Sequence, residues 1–277
     1  MQIKEYIKRV LIYLLKGVPQ KYITASIYYS SPRELLKGKN ILITGGGRGI
    51  GFAMAKKFAE EGANVLIAGR NEDTLMKSAS LIGCKYLQLD IQKLNSFDSF
   101  IAEAEKMLGG INCLVNNAGI SLHENSFFDV TPSSFDSQFN TNLKGAFFLT
   151  QKVASLMKMK NREGSILFVS SETGDTVDIR PYGLTKVAVN SLVQGLAYLF
   201  VKDNIRVNAV APGITTSDMT GLSSEGNLYF SLNTIERVYL PEEIAETACF
   251  LLSDISGCIS GQIVVCNNAR TINARWK

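Results

Sequence analysis

From Asn40 onward the chain alternates short apolar, β-branched runs with longer stretches in which apolar residues recur every three or four positions. The short runs fall at 41–43, 65–67, 86–89, 113–115, 166–169, 207–210 and 263–265. Runs without polar alternation suit strands buried on both faces, and the intervening periodic stretches are long enough for crossover helices. The pattern predicts an α/β fold, a doubly wound parallel sheet of about seven strands with helices on both faces (a Rossmann fold). Helix starts are marked by Asn71, by Thr131-Pro132, and by Pro241 followed by Glu242 and Glu243.

The first 38 residues follow a different pattern. Ile3, Tyr6, Ile7, Val10, Leu11, Leu14 and Leu15 keep the i, i+3, i+4, i+7 rhythm of an amphipathic helix, with Lys4, Lys8, Arg9 and Lys16 off that stripe. Gly17 and Pro19 end it, and Ser31-Pro32 marks a turn before the body. The division expected is therefore 1–38, an amphipathic helical extension, and 39–277, one Rossmann-type domain. The stripe is expected to pack on the body or on a neighbouring subunit. Contact of residues 1–16 with an anionic membrane surface is a second reading, and disorder a third. No apolar run approaches the roughly 18–20 residues that span a bilayer.

Charge sharpens the division. The formal net charge is +4, but residues 1–38 carry +5 and the rest −1, so the body has no field suited to nucleic acid. Five scattered cysteines without a CxxC pair, and a single histidine, His123, offer no metal-ligand cluster. Such thiols suit a reducing, cytoplasmic setting.

Two constellations carry chemistry. Strand 41–43 runs into Thr44, Gly45, Gly46, Gly47, Arg48, Gly49, Ile50 and Gly51 and then into a helix. Glycines at a strand-to-helix turn let main-chain N–H groups approach a pyrophosphate, and the helix N-terminus favours its charge. An NAD-type site places a carboxylate at the end of the second strand. Here that position is Gly69, followed by Arg70, and together with Arg48 this points to the 2′-phosphate of NADP(H). Farther on, Tyr182 and Lys186 sit at i, i+4 on one helix face. A phenol titrates near ~10, and a neighbouring ammonium together with the positive ring of an oxidised nicotinamide is expected to lower that value enough for acid–base work.

The spacing Thr-Gly-x3-Gly-x-Gly, the run Asn116-Asn117-Ala118-Gly119, the Tyr182–Lys186 pair, Asn208 with Pro212 and Gly213, and Pro241 to Ala245 together resemble the short-chain dehydrogenase/reductase family over roughly residues 38–266. The resemblance implies an NADP-dependent enzyme acting on CH–OH groups, with a small-molecule carbonyl or alcohol substrate and a homo-oligomer, dimer or tetramer. It adds Asp90, Ile91, Asn117, Ala118, Gly119, Tyr182, Lys186, Pro212 and Gly213 to the cofactor contacts, Lys186 meeting the nicotinamide ribose. It implies that Ser171, with Ser170 as the alternative, polarises the substrate oxygen. Asn142, with Asn140 as the alternative, would hold a water in a proton relay to Lys186. His123 receives no role.

Ten residues separate Ser171 from Tyr182, fewer than is usual in the family, which implies a more open wall beside the substrate. Segment 214–240, with Met219, Leu222, Leu228, Tyr229 and Phe230, occupies the position of the family's substrate-covering loop. The end of the last strand, Cys266-Asn267-Asn268-Ala269, departs from the acidic and glycine residues many relatives carry there. Two rival readings are a catalytically silent NADP-binding sensor or scaffold on the same fold, and a nucleotide-fold methyltransferase, which has no use for the Tyr182–Lys186 pair. Substrate classes left open include acyl thioesters, sugars, polyols, steroids and small ketones.

Overall fold

The computed structural model describes residues 21–25 and 34–272; the helix expected in the first sixteen residues, its Gly17 and Pro19 stop and the Ser31-Pro32 turn lie outside them. Seven strands form one sheet: β1 (Asn40–Thr44), β2 (Asn64–Gly69), β3 (Lys85–Gln88), β4 (Cys113–Asn116), β5 (Gly164–Val169), β6 (Ile205–Pro212) and β7 (Ile263–Cys266). Their order is β3-β2-β1-β4-β5-β6-β7, and every pairing is parallel. The expected strands all form, most of them extended by a residue or two at one or both ends.

Successive residues on a strand point to opposite faces, and the two faces feed two cores. Leu42, Leu66, Leu114, Ile166, Phe168 and Val207 pack beneath α3 (Phe97–Leu108), α5 (Ala146–Met159) and α6 (Pro181–Phe200). Ile41, Ile43, Val65, Ile67, Val115 and Leu167 pack beneath α1 (Gly49–Glu60), α2 (Glu72–Ile82) and α7 (Pro241–Leu252). Most of these strand side chains are fully buried, which is why the runs read as continuous apolar blocks. At ~1.5–3 kcal/mol for each aliphatic side chain removed from water, the two layers supply the main driving force for folding.

The expected caps are present. Asn71 Oδ1 accepts from Thr74 N at 2.8 Å, and Thr131 and Ser134 form a reciprocal capping box at the start of α4 (Pro132–Phe139). Between α4 and α5 the chain makes a π-helical turn, Asn140–Gly145. Such turns are rare and insert one extra residue per turn, which re-aims side chains. Here the turn buries Thr141 and Asn142.

β1 and β4 are neighbours while their onward connections run to opposite sides, so a crevice opens at the carboxyl ends of β1, β4, β5 and β6. The stretch 181–203 has the length and mean hydropathy, 1.4, of a bilayer span, yet Val189 and Val193 are buried against the sheet and the same helix carries Tyr182 and Lys186.

Candidate active site

A cavity of about 500 Å³ fills that crevice. It runs from Arg70 and Asp90 past the glycine turn to Ser171, Tyr182 and Lys186. Thr44, Gly45, Gly47, Arg48, Gly49, Ile50 and Gly51 line one wall, and Ile91, Asn117, Ala118, Gly119, Pro212 and Gly213 contribute elsewhere. Every residue assigned to the cofactor from the sequence thus borders one space. Asn142 does not border it.

The glycine turn is braced from β4. Thr44 Oγ1 donates to Val115 O at 3.3 Å and accepts from Asn117 N and Ala118 N, each at 3.1 Å. Asn117 Nδ2 donates to Thr44 O and Gly45 O at 3.0 and 2.9 Å. These contacts leave no room for side chains. A Cβ at Gly51 would fall inside the van der Waals shell of Gly45 O and 2.5 Å from Asn117 Nδ2, and Gly45 has φ +66°.

Helix α1 begins immediately behind the turn, and its N-cap residue Arg48 makes no side-chain cap hydrogen bond and no acidic residue stands in its first turn. Its first N–H groups therefore face the cavity with the positive end of the helix dipole, which fits a pyrophosphate. Gly69 ends β2 without a carboxylate, and Arg70 lies exposed beside it. Arg48 is engaged rather than free: its Nη1 lies 2.9 Å from Asp218 Oδ2, and both side chains are about two-thirds exposed (69% and 67%). An exposed pair of this kind contributes little, on the order of 0–1 kcal/mol, so a phosphate dianion displaces it readily.

At the other end, Tyr182 and Lys186 lie on the first turns of α6, with Lys186 Nζ 5.4 Å from the Tyr182 ring centre. Lys186 is buried, and its Nζ donates to Val169 O at 2.8 Å. Burial pulls its ammonium down to about 8. The Ser171 side chain lies beside the Tyr182 hydroxyl on the same cavity wall. The Tyr182 phenol is pushed upward, contrary to the expected lowering: burial raises it most, the Ser171 side chain pulls back, and the Glu172 carboxylate adds a further push. In this state the hydroxyl keeps its proton at neutral pH.

The two candidate serines separate. Ser170 Oγ donates to Asn190 Oδ1 at 2.5 Å, and Asn190 Nδ2 donates to Gly174 O at 3.0 Å, so Ser170 is spent clamping its loop to α6. Ser171 faces Tyr182 and also accepts from Thr173 Oγ1 at 3.0 Å. Asn142, in the π-helical turn, is buried behind the cavity wall. It accepts from Ile120 N at 2.8 Å and donates to Ile120 O at 2.9 Å and to Thr185 Oγ1 at 3.2 Å. It therefore grips the loop after β4 and the turn of α6 that carries Lys186.

Sequence reasoning gave no role to several neighbours. Glu172 is buried beside the serine loop, pairs with Arg270 and accepts from Asn267 Nδ2 at 3.0 Å. His123 Nε2 lies 2.7 Å from Met219 O and so touches segment 214–240. Thr141, Thr215, Ser217 and Thr220 border the cavity. Glu172 adjoins Ser171, and Thr215, Ser217 and Thr220 fall in the segment expected to cover the substrate, but no motif gives any of them a role of its own. Beside the site, Val177 and Ile179 of the short connection project into solvent.

Residues 45–268 match the family profile described as enoyl-(acyl carrier protein) reductase. The chain belongs to the short-chain dehydrogenase/reductase family. Among its curated relatives within that family, a 3alpha-hydroxysteroid dehydrogenase of Mediterraneibacter gnavus is 34% identical over 250 residues, covering 85% of this chain and 98% of its own. An L-rhamnose 1-dehydrogenase (NADP(+)) of Thermoplasma acidophilum is 33% identical, with 86% and 98% covered. The solved structure of a 3-ketoacyl-(acyl-carrier-protein) reductase of Brucella melitensis complexed with NADH superimposes with a TM-score of 0.79 at 29% identity, covering 86% of this chain and all of that one (100%). As a member of the short-chain dehydrogenase/reductase family the chain is an oxidoreductase with a nicotinamide-binding Rossmann fold.

Proposed function

We propose that this protein is an NADP(H)-dependent oxidoreductase acting on a carbonyl/secondary-alcohol pair of a small molecule, with Tyr182 as the acid–base group. The observation that carries this reading is the convergence of Ser171, Tyr182 and buried Lys186 on the cavity that begins at the glycine turn. The silent-scaffold alternative has no use for that convergence.

When bound, the nicotinamide supplies or takes up the hydride. The first turn of α1 receives the pyrophosphate, and Arg48 and Arg70 take the 2′-phosphate, Arg48 leaving Asp218 to do so. The absence of a carboxylate at Gly69 favours NADP(H) over NAD(H). Ser171 Oγ donates to the substrate oxygen, where negative charge develops. In reduction the protonated Tyr182 hydroxyl gives its proton to that oxygen; in oxidation the phenolate takes it back. Lys186 favours the phenolate and holds the ribose, while Asn142 positions the wall behind it and anchors the proton relay. The raised phenol suits reduction at neutral pH.

Residues 39–277 act as one catalytic domain in a cytoplasmic homo-oligomer. The named relatives are a hydroxysteroid dehydrogenase, a rhamnose dehydrogenase and a ketoacyl reductase, so the reacting C–O group is common ground while the rest of the substrate differs widely. Following NADPH absorbance with a panel of such ketones tests the reading. Tyr182→Phe is expected to bind NADPH within a few-fold of the natural chain while losing turnover by about two to four orders of magnitude. A variant that retains turnover refutes the mechanism.

A further inference from the structure

The substrate lid, segment 214–240, is built in layers. Thr215, Ser217 and Met219 border the cavity. Behind them, Tyr239 N donates to Ile214 O and Thr216 N to Tyr239 O, each at 2.9 Å. Next outward, Val238 N donates to Leu228 O at 3.0 Å and Phe230 N to Glu236 O at 2.9 Å. Isolated bridges of this kind, outside any sheet, are marginal in water.

The outermost layer comes from the other end of the chain. Leu228 N donates to Ile23 O at 3.1 Å. Asn227 reaches across to the same segment: its Oδ1 accepts from Ile23 N at 3.0 Å and its Nδ2 donates to Lys21 O at 3.0 Å. Lys21 pairs with Glu236 and lies 6.0 Å from the Tyr229 ring centre. Ala25 packs on the small apolar cluster of Leu228, Val238 and Leu240, which is separate from both main cores. Every partner of residues 21–25 named here belongs to the lid, and these residues precede the region shared with the family.

We propose that residues 21–25 are the outermost layer of the substrate lid, so that this chain's N-terminal extension sets how tightly the substrate is held. The inference rests on the proposed function in one respect, that the lid lies over the substrate. Leu228 is sandwiched between Ile23 and Val238, and losing one side leaves its main chain with half its pairing and its side chain uncovered. The lid then opens more of the time, and the substrate's apparent affinity falls with the closed fraction. Among the described residues, the lid meets the glycine turn only through residues 217–218, including the Arg48–Asp218 pair, and not through the 228–238 layers that residues 21–25 cover, so the cofactor is affected far less than the substrate.

Three chains decide this: the full chain, one lacking residues 1–20, and one lacking residues 1–25. Ile23→Pro, which removes the N–H given to Asn227 and the Ile23 side chain, serves as a point variant. KM for a reduced ketone, NADPH affinity, and the rate of chymotryptic cleavage after Tyr229 and Phe230 are measured for each. Loss of residues 1–25, and Ile23→Pro, are expected to raise KM and speed cleavage by about tenfold, the equivalent of one or two net hydrogen bonds. NADPH affinity stays within twofold or so, and loss of residues 1–20 alone changes little. Lys21→Glu is expected to weaken the lid and Glu236→Lys in the same chain to restore it.

Unchanged KM and cleavage on losing residues 1–25 overturn the proposal. So does an equal effect from losing residues 1–20, or a parallel loss of NADPH affinity. If the full chain reduces no ketone, the proposed function fails on its own, and the cleavage rates still decide whether this layer holds the lid.

Discussion

In the cofactor half of the cavity one continuous segment, residues 44–51, does most of the shaping, and its atoms are pressed against Asn117 and Ala118 just beyond β4. The substrate half is assembled from segments far apart in sequence. Ser171 comes from the end of β5, Tyr182 from α6, and the lid is tied down by His123, Arg48 and residues 21–25. The first region is held by contacts that admit no extra atom. The second is held by exposed hydrogen bonds and ion pairs that are individually weak. A shared cofactor needs the former, and a family that differs in substrate can vary the latter.

Gly51→Ala is the hardest blow to that contrast. The added carbon has nowhere to go, so the turn must move. Loss of NADPH binding by about a thousandfold and destabilisation of roughly 2–3 kcal/mol are expected, read by fluorescence titration and thermal unfolding. A tight-binding variant would mean that the turn is softer than its contacts imply.

Ser171→Ala and Ser170→Ala sharpen the comparison within the substrate half. Removing the hydroxyl that meets Tyr182 is expected to lower kcat/KM about a hundredfold or more with little change in stability. Removing the one bound to Asn190 is expected to cost on the order of 1 kcal/mol of stability and only a few-fold in kcat/KM. Reversed effects would exchange the two roles.

The smallest effect expected is on the fold itself. Burial puts the Lys186 pKa at about 8, below its ordinary 10.5. The unfolded chain therefore binds more protons between those values, and stability rises as pH climbs through that window. At neutral pH the buried ammonium is destabilising in the cofactor-free protein. Lys186→Met should raise Tm by a few degrees at neutral pH, corresponding to about 1–2 kcal/mol after allowing for the lost bond to Val169 O, with the gain shrinking toward pH 10.5. A lower Tm at every pH would show that the bond to Val169 outweighs the cost of burial.

The sheet and the cofactor half were legible because their determinants are local. Apolar blocks such as 41–43 and 166–169 announce buried strands, Asn71 and Thr131 announce helix starts, and the glycine spacing announces a close approach of main chain. Tyr182 and Lys186 were legible because helix periodicity alone puts them on one face. The direction of the Tyr182 shift was not, since the burial that dominates it depends on how α6 packs over the serine loop. Nor were Glu172, Arg270 and His123, whose partners lie far along the chain. The π-helical turn at Asn140–Gly145 has no period of its own in six residues and reads as ordinary helix.

The account turns on the Tyr182 hydroxyl as proton donor, and the pH dependence of ketone reduction tests it most directly. Measured from about pH 6 to about pH 11, reductive kcat/KM is expected to hold level through neutrality and to fall on the alkaline side as the raised phenol finally ionises. A reductive rate that climbs steadily with pH would require the deprotonated form to be active and would contradict the assignment.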